Sequence, residues 1–131
     1  MRRPGAGAIL ASLTLVGVSC GSSGGGPSSP SDGGAGGRTI TITSSGASPV
    51  SLTIAPGTRV LFVNNDTRPH NMTSDPHPDH DLCPEINAVG FLSPGQSRET
   101  GNLNTIRTCG FHDHDDPPPG GSRWTGSITI R

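Results

Sequence analysis

The sequence predicts an all-β protein built as a small β-sandwich, and three observations lead to this prediction. Short segments alternate polar and apolar residues, or form brief apolar runs, as strands do: RTITITS (38–44), VSLTI (50–54), RVLFVN (59–64) and GSITIR (126–131). Turn signals separate these segments: Ser48-Pro49, Pro56-Gly57, Asn64-Asn65-Asp66 and Ser93-Pro94-Gly95. No window of the chain carries an uninterrupted helical period, so short strands joined by Pro/Gly turns remain as the expected architecture.

The predicted core is small and consists of the apolar residues that fall on one face of these strands or close to them. Its expected members are Ile40, Ile42, Leu52, Ile54, Val60, Phe62, Leu92, Leu103, Ile106, Ile128 and Ile130. A chain of 131 residues has room for one domain. We place that domain at residues 39–131 and expect it to be a monomer.

The first 19 residues have the pattern of a signal peptide. Arg2 and Arg3 form a positive n-region, and the mostly apolar stretch from Ala6 to Val18 is too short to span a bilayer as a mature helix. The stretch ends in LVGVSC, which resembles the lipobox of bacterial lipoproteins. That resemblance implies that Cys20 carries a lipid anchor in a membrane of the cell envelope, in an extracytoplasmic, oxidising compartment. An ordinary signal peptide followed by an incidental cysteine is the alternative.

Residues 20–38 are predicted to be a lipidated cysteine followed by a flexible tether. The segment GSSGGGPSSPSDGGAGG has almost no apolar side chains to bury, so folding could not offset its loss of entropy. Beyond the signal peptide the chain carries seven arginines and ten acidic residues, with no basic patch. Nucleic acid is therefore not an expected partner.

All five histidines lie outside the segments predicted as strands. They fall in two long stretches predicted as loops, 64–90 and 109–124. The first stretch contains His70, His77, His80 and Cys83, and the second contains Cys109, His112 and His114. Imidazole and thiolate are the side-chain donors that transition metals prefer, so this concentration predicts a metal site.

Two motifs resemble the cupredoxins, the family of plastocyanin and azurin. LTIAPGTRVLFVNNDTRPHN resembles the strand–turn–strand that leads to the family's first copper-binding histidine, here His70, and CGFH resembles its Cys-x-x-His ligand pair. The resemblance implies a Greek-key cupredoxin-like sandwich that binds copper through His70, Cys109 and His112. It also implies transfer of single electrons to and from redox partner proteins, without enzymatic turnover.

The chemistry of such a site explains the residue types. Two imidazoles and a thiolate bind both oxidation states of copper with little change of geometry, which makes electron transfer fast. In the family, the residue at the place of Asn71 hydrogen-bonds the thiolate. The family's axial methionine would stand where this chain has Trp124, so the axial position is predicted to be empty, filled by a backbone carbonyl, or taken by His114.

A second interpretation stays open at this stage. Two cysteines in a small exported domain pair by default, and a Cys83–Cys109 disulfide would remove Cys109 from the ligand set. Three or four imidazoles would then form a different, type-2-like metal site, suited to metal binding or delivery. A third hypothesis is a disulfide-linked sandwich without metal that acts as an interaction module. Hydrolase chemistry is disfavoured, because nothing resembles a helix-borne nucleophile and the chain is too short to build a deep cleft.

Overall fold

The computed structural model describes residues 35–120 and 122–131. The predicted signal peptide at 1–19, Cys20 and most of the predicted tether lie outside the described residues. The last four tether positions form a short 3-10 helix, Ala35–Arg38, directly before the first strand. Within the described part of the chain, no helix is both long and apolar enough to cross a membrane.

Within residues 35–120 and 122–131, nine strands form two sheets, which confirms the predicted β-sandwich. In chain order the strands are β1 (Thr39–Thr43), β2 (Gly46–Ser48), β3 (Ser51–Ile54), β4 (Leu61–Asn64), β5 (His70–Ser74), β6 (Gly90–Leu92), β7 (Ser97–Glu99), β8 (Arg107–Asp113) and β9 (Gly126–Ile130). One sheet has the order β2-β1-β4-β7 and the other β3-β9-β8-β5-β6. Two further 3-10 helices, Pro84–Ala88 and Ser122–Trp124, lie in the connections.

Both sheets are mixed, and their inner faces follow from the alternation in the sequence. β1 pairs parallel with β4, and β3 pairs parallel with β9, while the other pairs of neighbouring strands are antiparallel. In β1 the two isoleucines are fully buried while the three threonines that alternate with them are partly exposed, because successive side chains of a strand point to opposite faces. Ten of the eleven predicted core residues are buried, and Met72, Ile86, Val89, Phe111 and Trp124 join them.

Two predictions about the fold are wrong. Ile106 is 72% exposed, because it lies in the bend before β8 and outside the regular pleat. The expectation that no histidine lies in a strand also fails: His70 begins β5, and His112 lies within β8. These strands went unrecognised because the polar residues His70, Ser74, His112 and Asp113 are buried in them.

A disulfide joins the first long loop to the second sheet. Cys83 and Cys109 are bonded, are both fully buried, and are 26 residues apart in the sequence. Closing a loop of that length removes entropy from the unfolded chain worth about 3.5 kcal/mol, a large share of the stability of a small domain. The bond also fixes residues 75–83 against β8, and this position determines the geometry of the site described next.

Candidate metal centre

Cys109 and His112 point to opposite faces of strand β8. The strand continues without interruption through Asp113, and residues three apart in a continuous strand face opposite ways. Cys109 and Phe111 therefore point into the core, whereas His112 lies opposite Thr73 of β5 on the outer face. This geometry, together with the disulfide, removes Cys109 from the predicted ligand set of His70, Cys109 and His112.

Three histidines converge on the outer face of the second sheet. One ligand nitrogen from each of His77, His80 and His112 lies within 4.8 Å of the others. The loop 75–83 brings His77 and His80 over the sheet, and β8 supplies His112 from below. The rings are graded in exposure, with His77 exposed, His80 partly exposed and His112 fully buried.

Hydrogen bonds leave a lone pair on the same nitrogen of two of these rings. His112 Nδ1 lies 2.5 Å from Asp75 Oδ1, and its N–H donates a hydrogen bond to that carboxylate, which leaves Nε2 with the lone pair. Thr73 Oγ1 lies 3.5 Å from that Nε2. His80 Nδ1 donates to the carbonyl of Ser74 at 2.8 Å, again leaving Nε2 with the lone pair. Metal-binding histidines are oriented by just such bonds from the other ring nitrogen.

Gly110 makes the Asp75–His112 contact possible. A Cβ atom at position 110 would lie 2.8 Å from Asp75 Cγ and closer still to Oδ2. The Asp75 side chain therefore crosses β8 over a residue that has no side chain. The Asp75 amide also donates to the Gly110 carbonyl at 3.0 Å, which fixes the start of the loop on the strand.

The backbone of His80 is held in an unusual conformation. Its φ is +53°, a left-handed value that few non-glycine residues adopt and that costs on the order of 1 kcal/mol or more. Two hydrogen bonds maintain it: the His80 amide donates to the Pro76 carbonyl at 2.7 Å, and Asn87 Nδ2 donates to the His80 carbonyl at 2.8 Å. The loop thus bears backbone strain at the residue whose Nε2 points into the cluster.

A fourth imidazole, that of His114, contacts the same nitrogen. His114 Nδ1 lies 2.9 Å from His80 Nε2. Because His80 Nε2 carries a lone pair, the Nδ1–H of His114 donates a hydrogen bond to it in the metal-free protein. We call His77, His80, His112 and His114 the imidazole cluster. The neighbouring rings also affect the ionisation of His77: desolvation, and then repulsion from His114, His80 and His112 whenever these are protonated, lower the pKa of His77.

His70 lies in a different environment. Its Nδ1 is 2.7 Å from Asp113 Oδ2 and its Nε2 is 3.1 Å from Asp66 Oδ2, so a ring that carries both protons satisfies both carboxylates. All three residues of this carboxylate triad are buried. Burial raises the pKa of Asp66, but hydrogen bonds from His70 and the Thr67 amide, with the charge of His70, outweigh this and hold the pKa below its usual value.

In the triad a carboxylate occupies the position expected for the thiolate. The prediction placed Cys109 beside His70, with a hydrogen bond from Asn71. In the structure Asp113 lies beside His70, and its Oδ1 accepts a hydrogen bond from the backbone N–H of Asn71 at 3.0 Å. The register of β5 and β8 pairs Thr73 with His112. Counted along β8, Cys109 is therefore six residues from the position that would lie opposite His70, a distance on the order of 20 Å.

Trp124, at the place expected for the axial ligand, packs on this triad. Its ring centroid is 5.2 Å from that of His70, and its indole N–H donates to the Thr43 carbonyl at 2.9 Å. The Arg68 guanidinium lies 4.3 Å from the Trp124 ring centre and 3.8 Å from Asp66 Oδ2. The Arg68 guanidinium therefore places positive charge beside the Asp66 carboxylate and over the Trp124 ring.

His77 and His80 are the site residues to which sequence reasoning gave no definite role. The signal was the spacing Asp-x-His-x-x-His in residues 75–80, but it has meaning only once the disulfide places the loop over β8. His114 was predicted as a possible fourth donor. His112 is common to the predicted ligand set and to the observed cluster.

The fold is that of the cupredoxins. Similar solved structures include a purple cupredoxin from Nitrosopumilus maritimus (TM-score 0.56, 21% identity, covering 72% of this chain and 99% of that chain). They also include oxidised plastocyanin from Dryopteris crassirhizoma (TM-score 0.53, 20% identity, covering 71% of this chain and 99% of that chain). A third is an oxidised single-residue mutant of amicyanin (TM-score 0.55, 15% identity, covering 73% of this chain and 83% of that chain). At these identities the likeness shows the fold alone. No protein-family model and no curated protein matches the sequence.

Proposed function

On a cupredoxin fold whose domain cysteines form a disulfide, we propose that this protein binds one copper ion through the imidazole cluster in an extracytoplasmic compartment. The observation that carries the proposal is the convergence of three imidazole nitrogens within 4.8 Å of one another. Two of the three rings have a hydrogen-bonded Nδ1 that leaves Nε2 with a lone pair toward the ion. The predicted set of His70, Cys109 and His112 is not retained.

The donor chemistry of the cluster supports copper. Imidazole nitrogens suit Cu²⁺, and Cu²⁺ binds such nitrogen sites most tightly among the first-row divalent ions. In the metal-free protein the 2.9 Å between His80 Nε2 and His114 Nδ1 is the length of a hydrogen bond, so this hydrogen bond must break before His80 Nε2 binds the ion.

The oxidised cysteine pair supports an extracytoplasmic location. Disulfides persist in exported proteins and are rare in the reducing cytosol. We therefore propose that residues 1–19 direct export. Because LVGVSC resembles a lipobox and a Gly/Ser-rich segment follows it, we also propose that Cys20 bears a lipid anchor and that residues 20–38 tether the domain to the membrane. Replacing Cys20 by Ser should move the protein from the membrane to the soluble fraction without unfolding it. Finding the unmutated protein soluble after fractionation would contradict the anchor.

Copper titration of the purified protein tests the site. We expect one Cu²⁺ per chain, an electron paramagnetic resonance spectrum with several nitrogen ligands, and no intense thiolate-to-copper band in the visible range. His112→Ala should lower the affinity by about 100-fold, because it removes a buried, oriented ligand, whereas Cys109→Ser should leave the spectrum type unchanged. If Cys109→Ser abolishes a strong visible band while His114→Ala has no effect, the thiolate site is correct instead.

Single-electron transfer with redox partner proteins is the second candidate function, and the cupredoxin scaffold favours it. The all-imidazole donor set counts against fast exchange, because Cu²⁺ prefers tetragonal and Cu⁺ prefers softer coordination. Voltammetry of the copper-loaded protein separates the two functions. A reversible couple with fast heterogeneous electron transfer would support a carrier of electrons, and slow transfer with loss of copper on reduction would support a protein that binds and passes on the metal.

A further inference from the structure

We infer that His77 is the exchangeable ligand of the copper site, through which the ion passes to an acceptor that presents imidazole nitrogens. The inference rests on the proposed function and adds to it that the protein transfers its bound Cu²⁺ to a partner by ligand exchange. Its basis is the unequal way in which the structure holds the three converging rings.

His112 and His80 are both fixed in place. His112 is fully buried in a strand, and Asp75 holds its Nδ1 at 2.5 Å. His80 is fixed through its ring by the Ser74 carbonyl and through its backbone by Pro76 and Asn87. Hydrogen-bonded partners of this kind typically account for about 10–100-fold of a metal site's affinity.

His77 has neither form of restraint. Its side chain is exposed, and among the described residues its ring nitrogens have no hydrogen-bond partner. Its ring contacts within that part of the chain are with the other histidines, at centroid distances of 5.4 Å to His80, 5.7 Å to His112 and 5.2 Å to His114. An unrestrained ring loses more rotamer entropy when it binds and regains it when it leaves. His77 should therefore contribute the weakest bond.

The same residue lies on the accessible side of the site. The sheet covers the ion from below through His112, and the exposed part of the loop, including Pro76, Pro78 and Asp79, lies around His77. An incoming donor atom thus reaches the ion where His77 binds it. The exposed carboxylates of Asp79 and Asp81 add negative charge to this rim, which attracts cations and disfavours anionic chelators.

The transfer is a ligand substitution. The bond from copper to the His77 nitrogen breaks as a bond to an acceptor imidazole forms, and the remaining protein ligands are then replaced in turn. The oxidation state does not change, so no electron donor is needed. Nitrogen donors suit Cu²⁺, whereas a thiolate acceptor would favour Cu⁺ and require a reductant.

Stopped-flow transfer of copper from the loaded protein to free L-histidine tests the inference. For the unmutated protein, the rate should rise in proportion to the histidine concentration, as an associative exchange requires. His77→Ala should still bind one copper per chain but release it about tenfold faster, since it lacks one weakly held ligand. Added imidazole should restore its nitrogen count by electron paramagnetic resonance. His80→Ala is the matched comparison and should lose stoichiometric binding altogether.

The outcomes separate the inference from the function on which it rests. If the unmutated protein binds no copper, the proposed function fails and the inference fails with it. If the protein binds copper but His77→Ala releases it at the unmutated rate, or loses binding as fully as His80→Ala does, His77 is not the exchangeable ligand. The site proposal would survive both of these results.

Discussion

Among the described residues, the carboxylate triad around His70 and the imidazole cluster differ in what their ring nitrogens contact. In the carboxylate triad, both ring nitrogens of His70 face carboxylate oxygens. In the imidazole cluster, His80 and His112 each use Nδ1 for a hydrogen bond and leave Nε2 for another nitrogen or an ion. Both ring nitrogens of His70 thus have hydrogen-bond partners, whereas the cluster places several electron-pair donors together.

Under the proposed function, a histidine of this protein binds metal through a ring nitrogen that carries an available lone pair, and its place in a motif does not decide this. His70 lies in the segment that resembles a copper ligand loop, yet carboxylates occupy both of its nitrogens. His80 lies in a segment that resembles no such motif, yet it has a lone pair and a strained backbone. The predictions below are arranged around that contrast, from the largest expected effect to the smallest.

Removing His70 should cost stability and leave copper binding intact. His70→Ala leaves two buried carboxylates without their shared donor, and breaking a buried charge network in this way typically costs about 3–5 kcal/mol. Denaturant unfolding measures the loss, and copper titration should still give one ion per chain. His77→Ala, an exposed change, should leave the free energy of unfolding nearly unchanged. Loss of copper binding in a folded His70→Ala protein would mean that His70 is a copper ligand. If His70→Ala does not fold, Asp66→Asn is a milder variant for the same test.

Replacing both bonded cysteines should loosen the cluster without changing the type of copper spectrum. The double substitution Cys83→Ser and Cys109→Ser should lower the free energy of unfolding by about 3.5 kcal/mol, because the unfolded chain regains the entropy of a 26-residue loop. Copper affinity should fall as well, since the loop that bears His77 and His80 is less restrained. A mass measurement on the unmutated folded protein should show two hydrogens fewer than the reduced form. Two reactive thiols in that protein would contradict the disulfide.

Removing the carboxylate that orients His112 should weaken copper binding by about 10–100-fold, which corresponds to roughly 1.4–2.7 kcal/mol. The variant is Asp75→Ala, and isothermal titration measures the change. Asp75→Asn should have a smaller effect, because its amide oxygen still accepts the proton of His112 Nδ1. Asp79→Ala, an exposed change on the same loop, should lower the affinity by no more than about twofold. Equal losses at positions 75 and 79 would show that general charge, rather than ring orientation, is responsible.

Acid should remove the stability that the Asp66 carboxylate contributes to the triad. The pKa of Asp66 is lower in the folded protein than its ordinary value of 3.8. The stability contributed by this carboxylate is therefore complete above about pH 4 and is lost as the pH falls through the lower, folded value. Unfolding curves for the unmutated protein and Asp66→Asn should converge as the pH is lowered through this range. Parallel curves would mean that another group carries the acid sensitivity.

The strands with one solvent-exposed face could be predicted from the sequence, and the strands that carry the histidine site could not. β1, β3 and β9 alternate in the sequence, and their inner residues are buried as expected. β8 buries Cys109 and Phe111 on one face and His112 on the other, because the histidine loop covers its outer side. With both faces covered, polar residues are retained inside the strand and the alternation disappears.

The choice between a thiolate and a disulfide at Cys109 was open for a physical reason. The spacing Cys-x-x-His places both side chains together in a turn but on opposite faces of a continuous strand. Whether the strand continues past residue 109 depends on pairing with β5 and β9, which are distant in sequence. Local pattern therefore identified the donors, and the register of the sheet decided which of them meet.

The missing side chain at Gly110 has a consequence for recognising other proteins of this kind. A residue with a Cβ at that position would displace the Asp75 carboxylate and with it the orientation of His112. A search signature for this centre should therefore read Asp-x-His-x-x-His followed downstream by Cys-Gly-x-His-x-His, with the glycine required. A chain that matches Cys-x-x-His but carries a larger residue after the cysteine would belong to a different class of site, even on the same fold.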